Sequence, residues 1–202
     1  MPPTLRALRV ADGAEGWRSV GFTVDDGGRV ALGDVVVELG PDAHGSGVRA
    51  WSVTGLEVDP VEGLPSFAPA GPARPSSPHP NGVREIDHLV VSTPDLERTV
   101  AALEGAGLEL RRRREGEAYG RPMRQAFFRL GQPILEVVGP REEAGDGPAG
   151  FFGLACTVDD LDATAALLGE HLGPPKGAVQ PGRRIATLRS SAGLGTAIAF
   201  MS

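Results

Sequence analysis

Cysteine is almost absent from this chain: Cys156 is the only one among 202 residues. No disulfide can form within the chain, which fits a reducing cytoplasm rather than a disulfide-stapled secreted fold. Cys156 lies mid-strand among apolar residues and reads as a buried small hydrophobe rather than a nucleophile. Long apolar runs are missing too. None approaches the roughly 20 residues a membrane helix needs, and the start, MPPTLRALRVADGAEGW, has no signal-peptide core. A soluble, cytoplasmic protein with no membrane partner is expected. Positive charge is in deficit, with a net charge of −6 and a pI near 5.3, which argues against a general nucleic-acid binder. The one basic cluster, Arg111–Arg114, is either a solvated strand or a pocket for an acidic ligand. Walker, Rossmann, CxxC and serine-elbow motifs are all absent.

An apolar fraction of 41% supports a real core, while 29 glycines and 18 prolines concentrate in turns and one linker. Residues 1–57 read as a β-rich unit, with VGFTVDD, RVALGDVVVELG and VRAWSVTGL as strands and a short helix around AEGWRSV. Residues 58–82 hold seven prolines, cannot pair in a sheet and read as a linker. Trp17 and Trp51 are expected in the core; His44, His79 and His171 form no visible cluster.

Residues 83–202 contain a block that occurs twice. IDHLVVSTPDLERTVAAL (86–103) and FFGLACTVDDLDATAALL (151–168) align at a shift of 65 positions. Each is an apolar strand entering an amphipathic helix. Thr93 is expected to cap the first helix, with Pro94 at its first position and Asp95 in its first turn; Thr157 or Val158 opens the second, with Asp159 and Asp160 following. Further strands follow in both copies, so each repeat, 83–141 and 149–202, is a β-α-β-β-β unit and the two should pack together. The copies differ where chemistry is expected: His88 becomes Gly153, and Glu136 becomes Ala199.

Strand alternation assigns faces. If His88 and Glu136 point inward, Val90, Ser92, Ile134 and Val138 join them, and the opposite faces (Leu89, Val91, Leu135, Val137) are wholly apolar. In the second copy Gly153, Ala155, Thr157, Ala197, Ala199 and Met201 line the same space, leaving volume for a ligand. Gln125, Phe127, Arg129, Thr187 and Arg189 are further candidates whose direction alternation does not decide. Glu136 is a candidate catalytic general base, and His88 and Glu136 are suitable divalent-metal ligands.

Through IDHLVVSTPDLERT, LEVVG and FFGLACTVDDLDAT, residues 83–202 resemble the vicinal oxygen chelate superfamily, the glyoxalase/bleomycin resistance/dioxygenase proteins. The resemblance implies an α+β fold in which tandem βαβββ modules form a half-open barrel, here with a degenerate N-terminal β-rich module. Gly33-x4-Glu38 echoes Gly131-x4-Glu136 in that module. In the superfamily, metal ligands come from the first and last strands of each module. The resemblance therefore implies a divalent metal (Zn, Ni, Fe or Mn) on His88 and Glu136, with no ligand from the second copy and Glu38 as a third only if its module pairs with residues 83–141. It implies a metal-dependent lyase, isomerase or dioxygenase acting on a small molecule, or a metal-free drug-sequestering or ligand-sensing protein, and a homodimer. Loops 115–123 and 174–182 would set selectivity.

Overall fold

A computed structural model describes residues 1–40, 46–57, 59–69, 71, 78–118, 121–142 and 145–202. His44 and residues 119–120 lie outside them; the rest of the stretch 115–123, expected as a loop, is strand. The chain opens with β1 (Thr4–Val10), whose Leu5, Ala7, Leu8 and Val10 are buried. The short helix α1 (Ala14–Ser19) then buries Trp17, and β2 (Arg29–Leu32), β3 (Val35–Leu39) and β4 (Val48–Thr54) complete a sheet of order β2-β3-β1-β4. The stretch VGFTVDD before β2 is not a strand. Its backbone is held by other partners, with Thr23 N–H donating to His79 Nδ1 and Asp25 N–H to the Arg29 carbonyl.

The repeat follows. Its first copy is β5 (Val83–Ser92), α2 (Leu96–Gly105), β6 (Leu110–Ala118), β7 (Arg121–Arg129) and β8 (Ile134–Pro140). Its second is β9 (Gly150–Val158), α3 (Leu161–Leu168), β10 (Lys176–Gly177), β11 (Arg184–Thr187) and β12 (Ala197–Met201). Together they form one eight-stranded sheet, β10-β11-β12-β9-β5-β8-β7-β6. In each copy the first strand runs parallel to the last, as β5 does to β8 and β9 to β12. The copies meet at the antiparallel β5–β9 pair, with Leu89 opposite Leu154, His88 opposite Ala155 and Val90 opposite Gly153. Exchanging residues by the 65-position shift maps these pairs onto one another, so the sequence repeat is a pseudo-twofold axis through Leu89 and Leu154.

The helix starts differ from the expected ones in the same way twice. Asp95 caps α2 by accepting from Arg98 N–H, and Asp160 caps α3 by accepting from Asp162 and Ala163 N–H. A carboxylate at the cap position satisfies free first-turn donors and meets the positive helix end, so it takes the place predicted for threonine. Thr93 instead accepts from Asp95 N–H just upstream.

The N-terminal sheet repeats part of the same plan. β1 lies parallel to β3, β3 pairs antiparallel with β2, and β4 lies antiparallel to β1, where β9 lies relative to β5. It lacks one strand after its helix, which fits a degenerate module. The two sheets share one apolar core. Trp51 meets Phe151 edge-on at 5.6 Å, and Phe22 stacks on Phe200 at 6.3 Å. Between them, the described part of the proline-rich stretch is more than a tether: Val61 and Leu64 are buried. Contrary to expectation it does pair with a strand, since Pro65 keeps its carbonyl and accepts from Trp51 N–H while Phe67 N–H donates to Trp51.

His79, buried at the end of that stretch, gives the fold a pH dependence. Its Nδ1 accepts from Thr23 N–H, so Nε2 carries the proton and donates to the Ala31 carbonyl at 2.9 Å. Burial pushes its pKa below 6.5, against the opposing pull of the Ala31 hydrogen bond. The unfolded histidine therefore takes up a proton first as pH falls. Its contribution to stability is full above pH 6.5 and declines as pH drops below that value. Urea titrations should show lower stability at pH 5.5 than at pH 7.5, and His79→Gln, which can make both bonds without titrating, should reduce that difference. An unchanged difference would contradict this assignment.

Candidate functional site

The concave face of the eight-stranded sheet is built from alternating residues in register. His88 lies opposite Ile134, and Val90 opposite Glu136. Glu136 lies opposite Phe127, and Val138 opposite Gln125. Phe127 and Gln125 in turn face Arg112 and Arg114 on β6. The other faces of β5 and β8 carry the buried Leu89, Val91, Leu135 and Val137.

His88, Gln125 and Glu136 line both of two adjoining cavities. The first, about 590 Å³, is also walled by Asp87, Arg111, Arg112, Arg114, Phe127, Ile134 and Met201, and by β10 with the residues that follow it to 181. The second, about 490 Å³, is mostly apolar and contains Val90, Ser92, Val138, Gly153, Ala155, Ala197 and Ala199. Of the residues named from sequence, Thr157 lines neither; Arg129 and Arg189 are also outside, whereas Thr187 borders the apolar chamber. Glu38 lies in the other sheet, 3.6 Å from Arg9. Cys156 is buried, and burial, with the nearby Asp87 charge, pushes its thiol up to about 12, so it carries no thiolate chemistry.

Alternation alone misses Asp87, the neighbour of His88 in sequence. Ile86 pairs with Cys156 and His88 with Ala155, leaving Asp87 as the extra residue of a bulge. The bulge turns its carboxylate onto the cavity side, a common use of bulges beside functional groups. Asp87 Oδ1 lies 2.8 Å from His88 Nδ1, and Oδ2 lies 2.6 Å from Arg183 Nη1. Burial raises the Asp87 pKa, but the hydrogen bonds from His88 and Arg183 and their charges outweigh it, holding the carboxyl below its ordinary value. An ionised Asp87 only accepts, so His88 Nδ1 is the donor. His88 Nε2 then faces Glu136 Oε2 at 3.3 Å, and Gln125 donates to Glu136 Oε1. All three acidic or imidazole side chains are mostly buried, with 12–17% exposed.

The second copy offers no matching groups. Gly153 stands at the position related to His88, and a Cβ built there would lie 2.3 Å from the Ala197 carbonyl oxygen. No side chain fits without moving the β9 or β12 backbone, so the loss of that donor is built into the strand spacing. Among the described residues no group of three His, Cys, Asp or Glu converges to hold a metal ion. A centre with donors from both modules does not fit these residues: His88 and Glu136 supply two, and Ala155, Ala197 and Ala199 supply none.

Residues 87–187, half of the chain, match the family model of the glyoxalase/bleomycin resistance protein/dioxygenase superfamily. The chain belongs to this superfamily. No curated protein matches it. Among solved structures, this superfamily member is similar to methylmalonyl-CoA epimerase from Mycobacterium tuberculosis, with 22% identity over 59% of this chain and 88% of that one, at a TM-score of 0.48. It is also similar to a variant of the Streptomyces coelicolor methylmalonyl-CoA epimerase in complex with 2-nitronate-propionyl-CoA, with 21% identity over 59% and 94% of the two chains, at a TM-score of 0.47. No helix among the described residues is long and apolar enough to cross a membrane.

Proposed function

We propose that this protein is a small-molecule enzyme of the isomerase or lyase type, in which Glu136 removes a proton from a carbon acid and His88 carries the proton at the partner end of the pair. The observation behind this reading is the line Arg183–Asp87–His88–Glu136–Gln125 at the shared wall of the two cavities. Asp87 fixes the histidine ring by its Nδ1–H, as orienting carboxylates do in proton-transfer sites. Gln125 fixes the far oxygen of Glu136, leaving the near one to exchange the proton. The chambers on either side, 590 and 490 Å³, are of the size that encloses a small molecule. Divalent-metal chemistry of the kind the family suggests would rest on His88 and Glu136 alone, and the steps here use protein groups only.

The test is solvent isotope exchange. A panel of carbonyl and carboxylate compounds is incubated with the protein in deuterium oxide, and incorporation at the carbon beside the carbonyl is followed by NMR. Wild-type protein should exchange a member of the panel, and Glu136→Gln should not. Equal exchange by both proteins would overturn the assignment. A second reading, a binding protein that does not turn its ligand over, is favoured by one feature: the small side chains Gly153, Ala155, Ala197 and Ala199 along the apolar chamber. A ligand that raises the melting temperature and is recovered unchanged would support it.

A further inference from the structure

We propose that the larger chamber binds a group bearing two or more negative charges, chemically a phosphate or diphosphate, through Arg112, Arg114 and Lys176. The proposal rests on the proton-transfer reading only for the direction of the substrate, its anionic end at the mouth and its reacting carbon at Glu136.

The first support is charge that no described residue balances. Among the described residues Arg112, Arg114 and Lys176 have no hydrogen-bond or ion-pair partner, yet all three line the same cavity. Their neighbours are matched: Arg111 with Glu109, Arg113 with Glu97, Arg183 with Asp87 and Arg184 with Asp162. In a chain of net charge −6, acidic partners are available. Three unmatched cations on one wall repel one another and attract an anion. The chamber's own acids do not serve, because Asp87 is engaged by Arg183 and His88, and Glu136 by His88 and Gln125.

The second support is topology. β6 and β10 are the two edges of the eight-stranded sheet, and both border this one cavity. The curl of the sheet brings cations from opposite edges to a common mouth. Alternation on β6 sends Arg113 outward to Glu97 on α2 and Arg112 and Arg114 inward, opposite Phe127 and Gln125. Glu136 sits opposite Phe127 on the next strand, so the cations lie at the rim and the carboxylate farther in. A single carboxylate would leave two of the three charges unbalanced. A phosphate offers several oxygens to the fork-shaped guanidinium groups of two arginines and a point contact to a lysine.

Isothermal titration with pyrophosphate and with acetate, at matched ionic strength, tests this. Pyrophosphate should bind one per chain, at least ten-fold more tightly than acetate. Arg112→Gln/Lys176→Gln should weaken it at least ten-fold, while Arg6→Gln/Arg189→Gln, with the same change in net charge outside the chamber, should not. Pyrophosphate binding no tighter than acetate, or equally weakened by both double variants, would overturn the proposal. Glu136→Gln should keep pyrophosphate binding, so a failure of the proton-transfer reading and a failure of this one are separable. Circular dichroism checks that the variants are folded; all four side chains are exposed.

Discussion

Replacing Asp12 by alanine should destabilise the protein by about 4 kcal/mol, with a fall in melting temperature of roughly 10 °C. Asp12 is 6% exposed and lies between β1 and α1. Its carboxylate accepts from Trp17 Nε1 at 3.2 Å, from Gly195 N–H at 2.9 Å, and from Thr196 through N–H at 3.1 Å and Oγ1 at 2.6 Å. Thr196 directly precedes β12, so one side chain ties the N-terminal sheet and its helix to the last strand of the repeat. Each hydrogen bond to a charged group is worth about 1.5–3 kcal/mol, and deleting the acceptor also strands buried donors that water reaches poorly. Asp12→Asn should cost less than Asp12→Ala, since one amide oxygen still accepts while its NH2 faces donors. Urea denaturation reads both. A loss below about 1 kcal/mol for Asp12→Ala would mean that this carboxylate does not hold the two sheets together.

Glu136→Gln should lower kcat on the exchanging substrate by roughly 10²–10⁴, the range of general-base catalysis and equivalent to about 3–5 kcal/mol of barrier. The change keeps shape. A glutamine oxygen still accepts from Gln125, and its NH2 can donate to His88 Nε2, so the wall between the chambers stays closed. What is lost is a group able to take a proton. The control is Glu38→Gln, which changes the glutamate at the echoing position of the N-terminal module. Glu38 pairs with Arg9 in the other sheet and should leave kcat unaffected. If both variants keep full activity, another group is the base; if both lose it equally, the effect is on folding.

The twofold plan was legible because each repeat carries its period twice, once in the strand and once in the helix. The 65-residue shift that aligns Leu96 with Leu161 is also the shift that maps the β5–β9 pairing onto itself. Alternation likewise placed Val90, Ile134, Val138, Gly153, Ala155, Ala197 and Ala199 on the side that borders the cavities. It failed where a strand is irregular. Asp87 reaches the cavity only through a bulge, and nothing in IDHLVV marks one. β1 escaped notice because TLRALRV alternates imperfectly: Ala7 and Leu8 are both buried, at a register shift opposite β4. The meeting of Arg112 and Arg114 with Lys176 was illegible for a different reason. Those residues are more than sixty positions apart on opposite edges of one sheet, and only its curl joins them. Gly153 carried a readable signal, a glycine where the first copy has histidine, but not its cause, which is the 2.3 Å approach of the Ala197 carbonyl to any Cβ there.

His88 and Glu136, 3.3 Å apart at the shared wall of the two cavities, are proposed to act on substrate with their own side chains rather than through a bound metal. Elemental mass spectrometry of protein purified without a histidine tag, after incubation with nickel, zinc, iron or manganese and removal of free ion, tests this proposal directly against H88A/E136A. Well under one metal per chain is expected in the wild type, no different from the double variant. One metal per chain, lost in the double variant, would contradict the proposal and make the pair a metal centre.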